Sequence, residues 1–177
     1  AGTDLASLST SAVKDGNEWV INGTKMFTSG ATDTDYIWLA VRTDPDAPKH
    51  KGITMFIVPA DAPGFSAAPI HTISGSATAM SYYENVRVPE ENIVGGVNGG
   101  WKLITTQLNH ERVGLAAFGS AAYARTERVI EWARDTETPG GGKIIDLPWV
   151  QANLAEVYAS IEAMKLLNWR MAAQLES

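Results

Sequence analysis

The 177-residue chain has no cysteine. This excludes a disulfide scaffold and any thiolate metal site, and it fits a reducing, cytoplasmic setting. Positive charge is also scarce: 14 Lys and Arg against 20 Asp and Glu leave a formal net charge of −6. No basic stripe is available to neutralise phosphates, so nucleic acid is not an expected partner. No apolar run approaches the roughly 20 residues of a membrane helix, so no membrane span is expected. The three histidines, His50, His71 and His110, lack the spacing of a metal site. There is no Gly-x-Ser-x-Gly and no dinucleotide-binding glycine fingerprint. Gly140-Gly141-Gly142-Lys143 has neither the preceding strand nor the Ser/Thr of a phosphate loop, which makes it a linker.

What is present is an ordinary globular composition, 45% apolar and 19% charged. A chain of this length forms one domain or two small ones and buries roughly two thirds of the surface it exposes when unfolded. The first residues carry no Met and no signal pattern, and Leu175-Glu176-Ser177 falls inside a helical repeat. An ordered piece of a longer polypeptide is therefore expected.

The pattern changes near residue 98. Before it, β-prone runs alternate with turns: Leu8 to Val13, Glu18 to Ile21, Thr24 to Thr28, Tyr36 to Arg42, Ile53 to Val58, Ser66 to Thr72 and Met80 to Val88. Asn22-Gly23 between the second and third runs predicts a hairpin, since both residue types tolerate positive φ. The apolar runs at Tyr36 and Ile53 suit strands buried on both faces, and the regular spacing suggests a small antiparallel barrel or sandwich. After residue 98, apolar residues recur at helical spacing from Trp101 to Arg134, interrupted by Gly114 and Gly119, and again from Pro148 to Leu175. A helix that keeps two glycines lets a backbone or ligand come close. Pro148 opens the second run with Asp146 or Leu147 as its cap. The expected fold class is α+β: an antiparallel β-barrel domain over 1–98, then an antiparallel helix pair over 99–177 from an incomplete four-helix-bundle domain. Two helices with such wide apolar faces need further helices from the same chain or from other subunits.

Two places combine side chains that carry chemistry. Lys25-Met26-Phe27-Thr28-Ser29-Gly30 sets an aromatic beside two hydroxyls at a strand end. That suits a flat redox-active heterocycle, which needs a surface to pack on and donors for its ring atoms. From these six residues alone a strand ending in a simple Thr-Ser-Gly turn is the favoured reading. On the first helix, Asn109-His110-Glu111-Arg112 puts a carboxylate and a guanidinium on adjacent residues, pointing about 100° apart and so not paired. Periodicity alone makes this a solvated polar turn, and Gly114 opens space beside it.

The ordered series of motifs goes further. Gly2-Thr3-Asp4-Leu5 opens the chain, followed by Asn22-Gly23-Thr24-Lys25-Met26-Phe27-Thr28-Ser29-Gly30. Val41-Arg42-Thr43-Asp44, Lys51-Gly52-Ile53-Thr54, Asn85-Val86-Arg87-Val88-Pro89, Gly99-Gly100-Trp101 and Glu111-Arg112-Val113-Gly114 come next. Over essentially its whole length the series resembles the acyl-CoA dehydrogenase family. The resemblance implies the middle β domain and the first helices of the C-terminal domain, FAD as cofactor, and an acyl-CoA thioester as substrate. It further implies oxidation to the trans-2-enoyl-CoA, with electron-transfer flavoprotein as acceptor. A carboxylate would take the α-proton while the β-hydrogen leaves as hydride.

By position, Phe27, Thr28 and Ser29 match the family's flavin contacts, and Thr3, Asn109 and Arg112 match contacts to the CoA substrate. Phe27 replaces a common Trp and Asn109 a common Asp. The catalytic carboxylate occupies one of two places in the family, and Glu111 stands at the place used by the isovaleryl and long-chain branches. The other place would lie beyond Ser177. One departure is informative. Where the family carries Arg-x-x-Phe-Gly in a loop that reaches over a neighbour's FAD, Glu137 and Gly140 stand for Arg and Phe. An anion near a pyrophosphate repels rather than binds. A mixed tetramer with a paralogous subunit is therefore expected over a homotetramer, as in the actinobacterial branch that shortens steroid side chains. A non-catalytic structural subunit and an acyl-CoA oxidase are the alternatives. The fragment alone is expected to be inactive and not to hold FAD tightly.

Overall fold

A computed structural model describes residues 4–116 and 118–175. Its contacts divide the chain into two compact units, one through Thr105 and one from Thr106.

The first unit is built on a seven-stranded sheet: β1 (Ser11–Asp15), β2 (Glu18–Lys25), β3 (Tyr36–Arg42), β4 (Ile53–Pro59), β5 (Phe65–His71), β6 (Ala77–Pro89) and β7 (Ile93–Val94). The strand order is β5-β6-β2-β1-β3-β4-β7. All joins are antiparallel except β1–β3. The α+β class holds, but the sheet is open rather than closed into a barrel. Its ends explain this: β7 has only two residues, and β5 carries Pro69, which cannot donate to a further strand.

Strand β4 is buried on both faces, as its continuous apolar run predicts. Phe56 and Val58 join the main core with Trp19, Ile21, Leu39, Val86 and Val88. Ile53 and Met55 face the other way and pack with Leu8 and Ile104. Strand β3 instead alternates: Ile37, Leu39 and Val41 are buried while Tyr36 and Trp38 are exposed.

The Asn22-Gly23 hairpin is not formed. Strand β2 runs straight through the pair, and the register against β6 shifts between Ile21 and Gly23, a β-bulge. The true turn is Gly16-Asn17, with Asp15 opposite Glu18 and Gly16 at φ 62°. Asn22 has other work: its amide accepts the Asn85 backbone N–H (2.9 Å) and donates to the Asn85 side chain (3.2 Å), where Asn85 turns at φ 53°. Gly23 is at φ 138°, and a Cβ there would come within 2.8 Å of the Thr10 backbone.

The expected long first helix is two helices, α1 (Gly100–Leu115) and α2 (Phe118–Asp135), followed by α3 (Pro148–Leu175). The break falls between the two flagged glycines. The start of α1 is fixed within the first unit. The Asn98 N–H donates to the buried Thr54 hydroxyl (2.8 Å), which meets the Thr43 hydroxyl (2.6 Å), which donates back to the Asn98 side chain (2.7 Å). A Cβ on Gly100 would lie 2.8 Å from the Ile53 carbonyl, so the helix begins pressed on β4. Burying Ile104 there contributes about 1.5–3 kcal/mol.

In the second unit α2 and α3 run antiparallel: Tyr123 meets Tyr158, and a Cβ on Gly119 would touch Met164 at 3.0 Å. Gly119 is thus the glycine that permits close packing; Gly114 has open space beside it. A cavity of about 420 Å³ lies among Val113, Gly119, Tyr123, Ile161, Met164 and Trp169. Trp132, Trp149, Leu166, Leu167 and Trp169 stay exposed.

The bulge yields a prediction. Replacing Gly23→Ala is expected to cost about 2–4 kcal/mol, from positive-φ strain plus overlap with Thr10. Urea denaturation of this chain measures it; a cost of a few tenths of a kcal/mol would show that the strand does not pass Thr10 this closely.

Candidate active site

The corner that follows β2 is made by β6. Lys25 ends the strand opposite Ser81. Three residues on, the Thr28 N–H donates to the Ala79 carbonyl (2.8 Å), the Thr28 and Ser81 hydroxyls lie 3.0 Å apart, and the Ser29 and Thr78 hydroxyls 3.3 Å. These bonds turn the chain abruptly, and Phe27 takes φ 62° with its ring 66% exposed. Positive φ in a bulky residue costs on the order of 1–3 kcal/mol and persists only where neighbours impose it, which makes it a marker of function. Ala31 plugs the corner from below, while Gly30 has open space around it.

The corner offers a particular chemistry. The Thr28 N–H is used by Ala79 and the Ser29 N–H by the Phe27 carbonyl (3.1 Å), while each hydroxyl keeps bonding capacity beyond its one side-chain partner, so the corner offers a ligand two hydroxyls and an aromatic ring. A flat heterocycle with ring nitrogens and oxygens fits that set. Sequence reasoning quoted Lys25 without a role and missed Ser81. The alternation Ala79, Ser81, Tyr83 on the inward face of β6 was the available signal, since it places a small hydroxyl among core positions.

The second group sits on α1. Asn109, Glu111 and Arg112 are all exposed, and among the described residues neither Glu111 nor Arg112 makes an ion pair. The His110 ring bonds back to the Thr106 carbonyl (2.9 Å). Seven residues separate Ile104 from Glu111. On a helix that brings them within about 20° of one stripe, with Leu108 between. Ile104 itself packs with Ile53 and Met55 of β4.

Phe27, Thr28 and Ser29 are brought together at one corner, and Asn109, Glu111 and Arg112 along one helix; the two groups belong to different compact units. Thr3 lies outside the described residues. Among the described residues no three His, Asp or Glu side chains form a group that would hold a metal, and no helix is long and apolar enough to cross a membrane.

The loop between α2 and α3 folds on itself. Glu137 bridges to Lys143 through the backbone and through an ion pair (3.3 Å), Lys143 Nζ also donates to the Asp135 carbonyl (3.1 Å), and Thr138 closes the glycine turn on Gly141 (2.7 Å). The anion at 137 is held by a lysine of its own loop.

A mostly antiparallel sheet and a helical unit define an α+β protein, and the comparisons specify it. Residues 1–86 match the family model "Acyl-CoA dehydrogenase, middle domain" and residues 98–177 match "Acyl-CoA dehydrogenase, C-terminal domain". The chain belongs to the acyl-CoA dehydrogenase family. Acyl-CoA dehydrogenase FadE26 of Mycobacterium tuberculosis is 52% identical over 176 residues, which cover 98% of this chain and 44% of that protein. The structure "Tcur3481-Tcur3483 steroid ACAD" is 58% identical with a TM-score of 0.91, over 99% of this chain and 44% of that one. The ChsE4-ChsE5 complex from Mycobacterium tuberculosis is 51% identical with a TM-score of 0.90, over 99% of this chain and 45% of that one. The chain thus spans less than half the length of these relatives.

Lys25 gives a test of the corner. Its ammonium is half-buried, has no carboxylate partner among the described residues, and burial lowers its pKa from 10.5 to about 8. Between those values the unfolded chain holds the proton and the folded chain does not, so stability rises with pH across about 8 to 10.5. Below that window the penalty is constant. Lys25→Met is expected to flatten this rise and to be more stable than the parent at neutral pH. Denaturation curves across the window check it; a variant with the parent's slope would show that the ammonium is solvated.

Proposed function

We propose that this chain is the flavin- and base-bearing part of an FAD-dependent acyl-CoA dehydrogenase that converts an acyl-CoA thioester to the trans-2-enoyl-CoA. Residues 1–98 serve as the middle β domain and 99–177 as the start of the C-terminal helical domain. The observation that carries this reading is the strained, exposed Phe27 beside the hydroxyls of Thr28 and Ser29, a set that fits FAD. FAD, when bound, supplies a ring that takes up the β-hydrogen with its electron pair. Phe27 would pack on that ring, and Thr28 and Ser29 would bond its edge. Glu111 removes the α-proton, which a carboxylate without a counter-ion on its own helix is free to do. Asn109, Arg112 and Thr3 hold the CoA portion. Excluding water from this space strengthens each of these interactions.

The partner is a paralogous subunit in a mixed tetramer. The Glu137–Lys143 pair supports this, because a loop closed on an anion offers no cation to a neighbour's pyrophosphate. Structural relatives named as the Tcur3481-Tcur3483 and ChsE4-ChsE5 pairs support it too. The exposed apolar faces of α2 and α3 would be covered by further helices of the assembly. A steroid side chain is the substrate class suggested by the steroid ACAD relative, and electron-transfer flavoprotein is the acceptor.

Mixing the complete enzyme with an acyl-CoA under nitrogen should bleach the flavin. Glu111→Gln is expected to slow bleaching about 10²–10⁴-fold while leaving ligand binding nearly unchanged. Unchanged bleaching would move the base elsewhere. Rapid re-oxidation in air would instead mark an oxidase, and no bleaching in the parent a structural subunit. The tetramer with its paralogue should contain fewer FAD than subunits; one FAD per subunit in a tetramer of this chain alone would contradict the mixed assembly.

A further inference from the structure

Arg42 ends β3 with its backbone held on both sides. Its N–H donates to the Thr10 carbonyl (2.8 Å), and it stands opposite Ile53 of β4. The guanidinium therefore leaves the sheet from a fixed point. It makes no ion pair among the described residues. Instead its two terminal nitrogens serve backbone carbonyls of two different segments: one donates to Ala6 (2.6 Å), the other to Lys49 (2.7 Å). Both acceptors are left over by their own turns. In the 3₁₀ turn Leu5–Ser7, the Asp4 and Leu5 carbonyls accept from the Ser7 and Leu8 N–H groups (3.0 and 3.2 Å), which leaves the Ala6 carbonyl for Arg42. In the 43–52 loop, the Lys51 N–H goes to the Pro48 carbonyl (2.7 Å), one residue short of Lys49. A planar guanidinium has donors that diverge, so it bridges two such acceptors where an ammonium offers a single nitrogen. Below the turn, Leu5 and Leu8 pack with Ile53, Met55 and Ile104. The other polar tie, Lys49 to Asp4 at 3.4 Å, is solvent-exposed on both sides and holds little.

We propose that Arg42 is a positioning residue for the CoA portion of the substrate: one guanidinium sets the opening turn and the 43–52 loop at a fixed separation. The segment that carries Thr3 is then in place before the thioester arrives. This rests on the reading of Thr3 as a CoA contact, and Thr3 adjoins Asp4 in the chain. Arg42 acts through backbone carbonyls and needs no contact with substrate. Its contribution is the ordering of a chain segment that binding would otherwise have to order itself. The effect is therefore confined to substrates long enough to reach that segment. The carbons that react lie outside its influence.

The test uses the complete FAD-containing enzyme and two substrates with the same acyl group: the acyl-CoA, and the acyl-N-acetylcysteamine thioester, which lacks the nucleotide and most of the pantetheine. Arg42→Met, Arg42→Lys and Thr3→Val are compared with the parent, and circular dichroism confirms folding. Arg42→Met is expected to raise KM for the acyl-CoA about 10-fold with kcat within about 2-fold of the parent, the mark of lost uniform binding. Arg42→Lys, which keeps the charge but not the fork, is expected to raise it by less. Both variants should match the parent on the short thioester. Equal losses on the two substrates, or a fall in kcat alone, would make Arg42 a general support of the fold and overturn the proposal. If Arg42→Met does not fold, Arg42→Lys alone decides: a parental KM for the acyl-CoA overturns the proposal. Parental values in the Arg42 variants while Thr3→Val raises KM overturn the role of Arg42 and leave the CoA reading standing. A parental KM in Thr3→Val overturns the contact on which the proposal rests, whatever the Arg42 variants do.

Discussion

The grip of β6 on the end of β2 is the constraint on which the candidate site depends. Cross-strand pairing brings Lys25 opposite Ser81, and the chain then bonds to Ala79, Ser81 and Thr78 in succession. Each of these bonds uses a group that would otherwise be free, and together they force Phe27 into a conformation that isolated aromatic residues avoid. The gain is geometric. A ring that would pack inward on a regular strand is held outside, and the hydroxyls beside it are oriented before any ligand arrives. A pre-formed surface of this kind avoids the entropy of ordering on binding. The same grip leaves the Lys25 ammonium poorly solvated, a local cost of placing a sheet end at a working corner.

A second, independent anchor operates at the other end of the first unit. The ring of bonds among Asn98, Thr54 and Thr43 fixes the residue before α1, and Gly100 lets the helix start directly against β4. Ile104 then sets the rotation of the helix about its axis. Leu108 and Glu111 follow Ile104 along the same helix. In the proposed reaction the placing of Glu111 is decisive, because proton removal requires the base within bonding reach of one carbon.

Much of the fold was legible in the sequence. Strands β3 and β4 follow β-branched and aromatic runs closely, because such runs have no competing local structure, and Pro148 does open α3. The Asn22-Gly23 pair misled because its tolerance of positive φ serves a bulge as well as a turn; only the cross-strand partner Asn85 distinguishes them, and that contact is not local. The single long helix failed for a related reason. Gly114 and Gly119 weaken a helix without dictating where it stops. Regular strand spacing suggests a barrel but does not specify the edges, one of which is a two-residue β7 that no periodicity reveals. For the site, the residues emerged as an ordered series of motifs, whereas their physical distinctiveness did not. Nothing local in Phe27-Thr28-Ser29 announces a left-handed phenylalanine or a buried serine behind the threonine.

The most direct test of the central claim is an experimental structure of the complete subunit with FAD and a non-reacting acyl-CoA analogue bound. The account predicts the Phe27 ring and the Thr28 hydroxyl against the flavin, with the Glu111 carboxylate on the opposite side of the analogue, facing its α-carbon. A flavin that touches none of Phe27, Thr28 and Ser29, or a Glu111 turned away from the thioester, would contradict it.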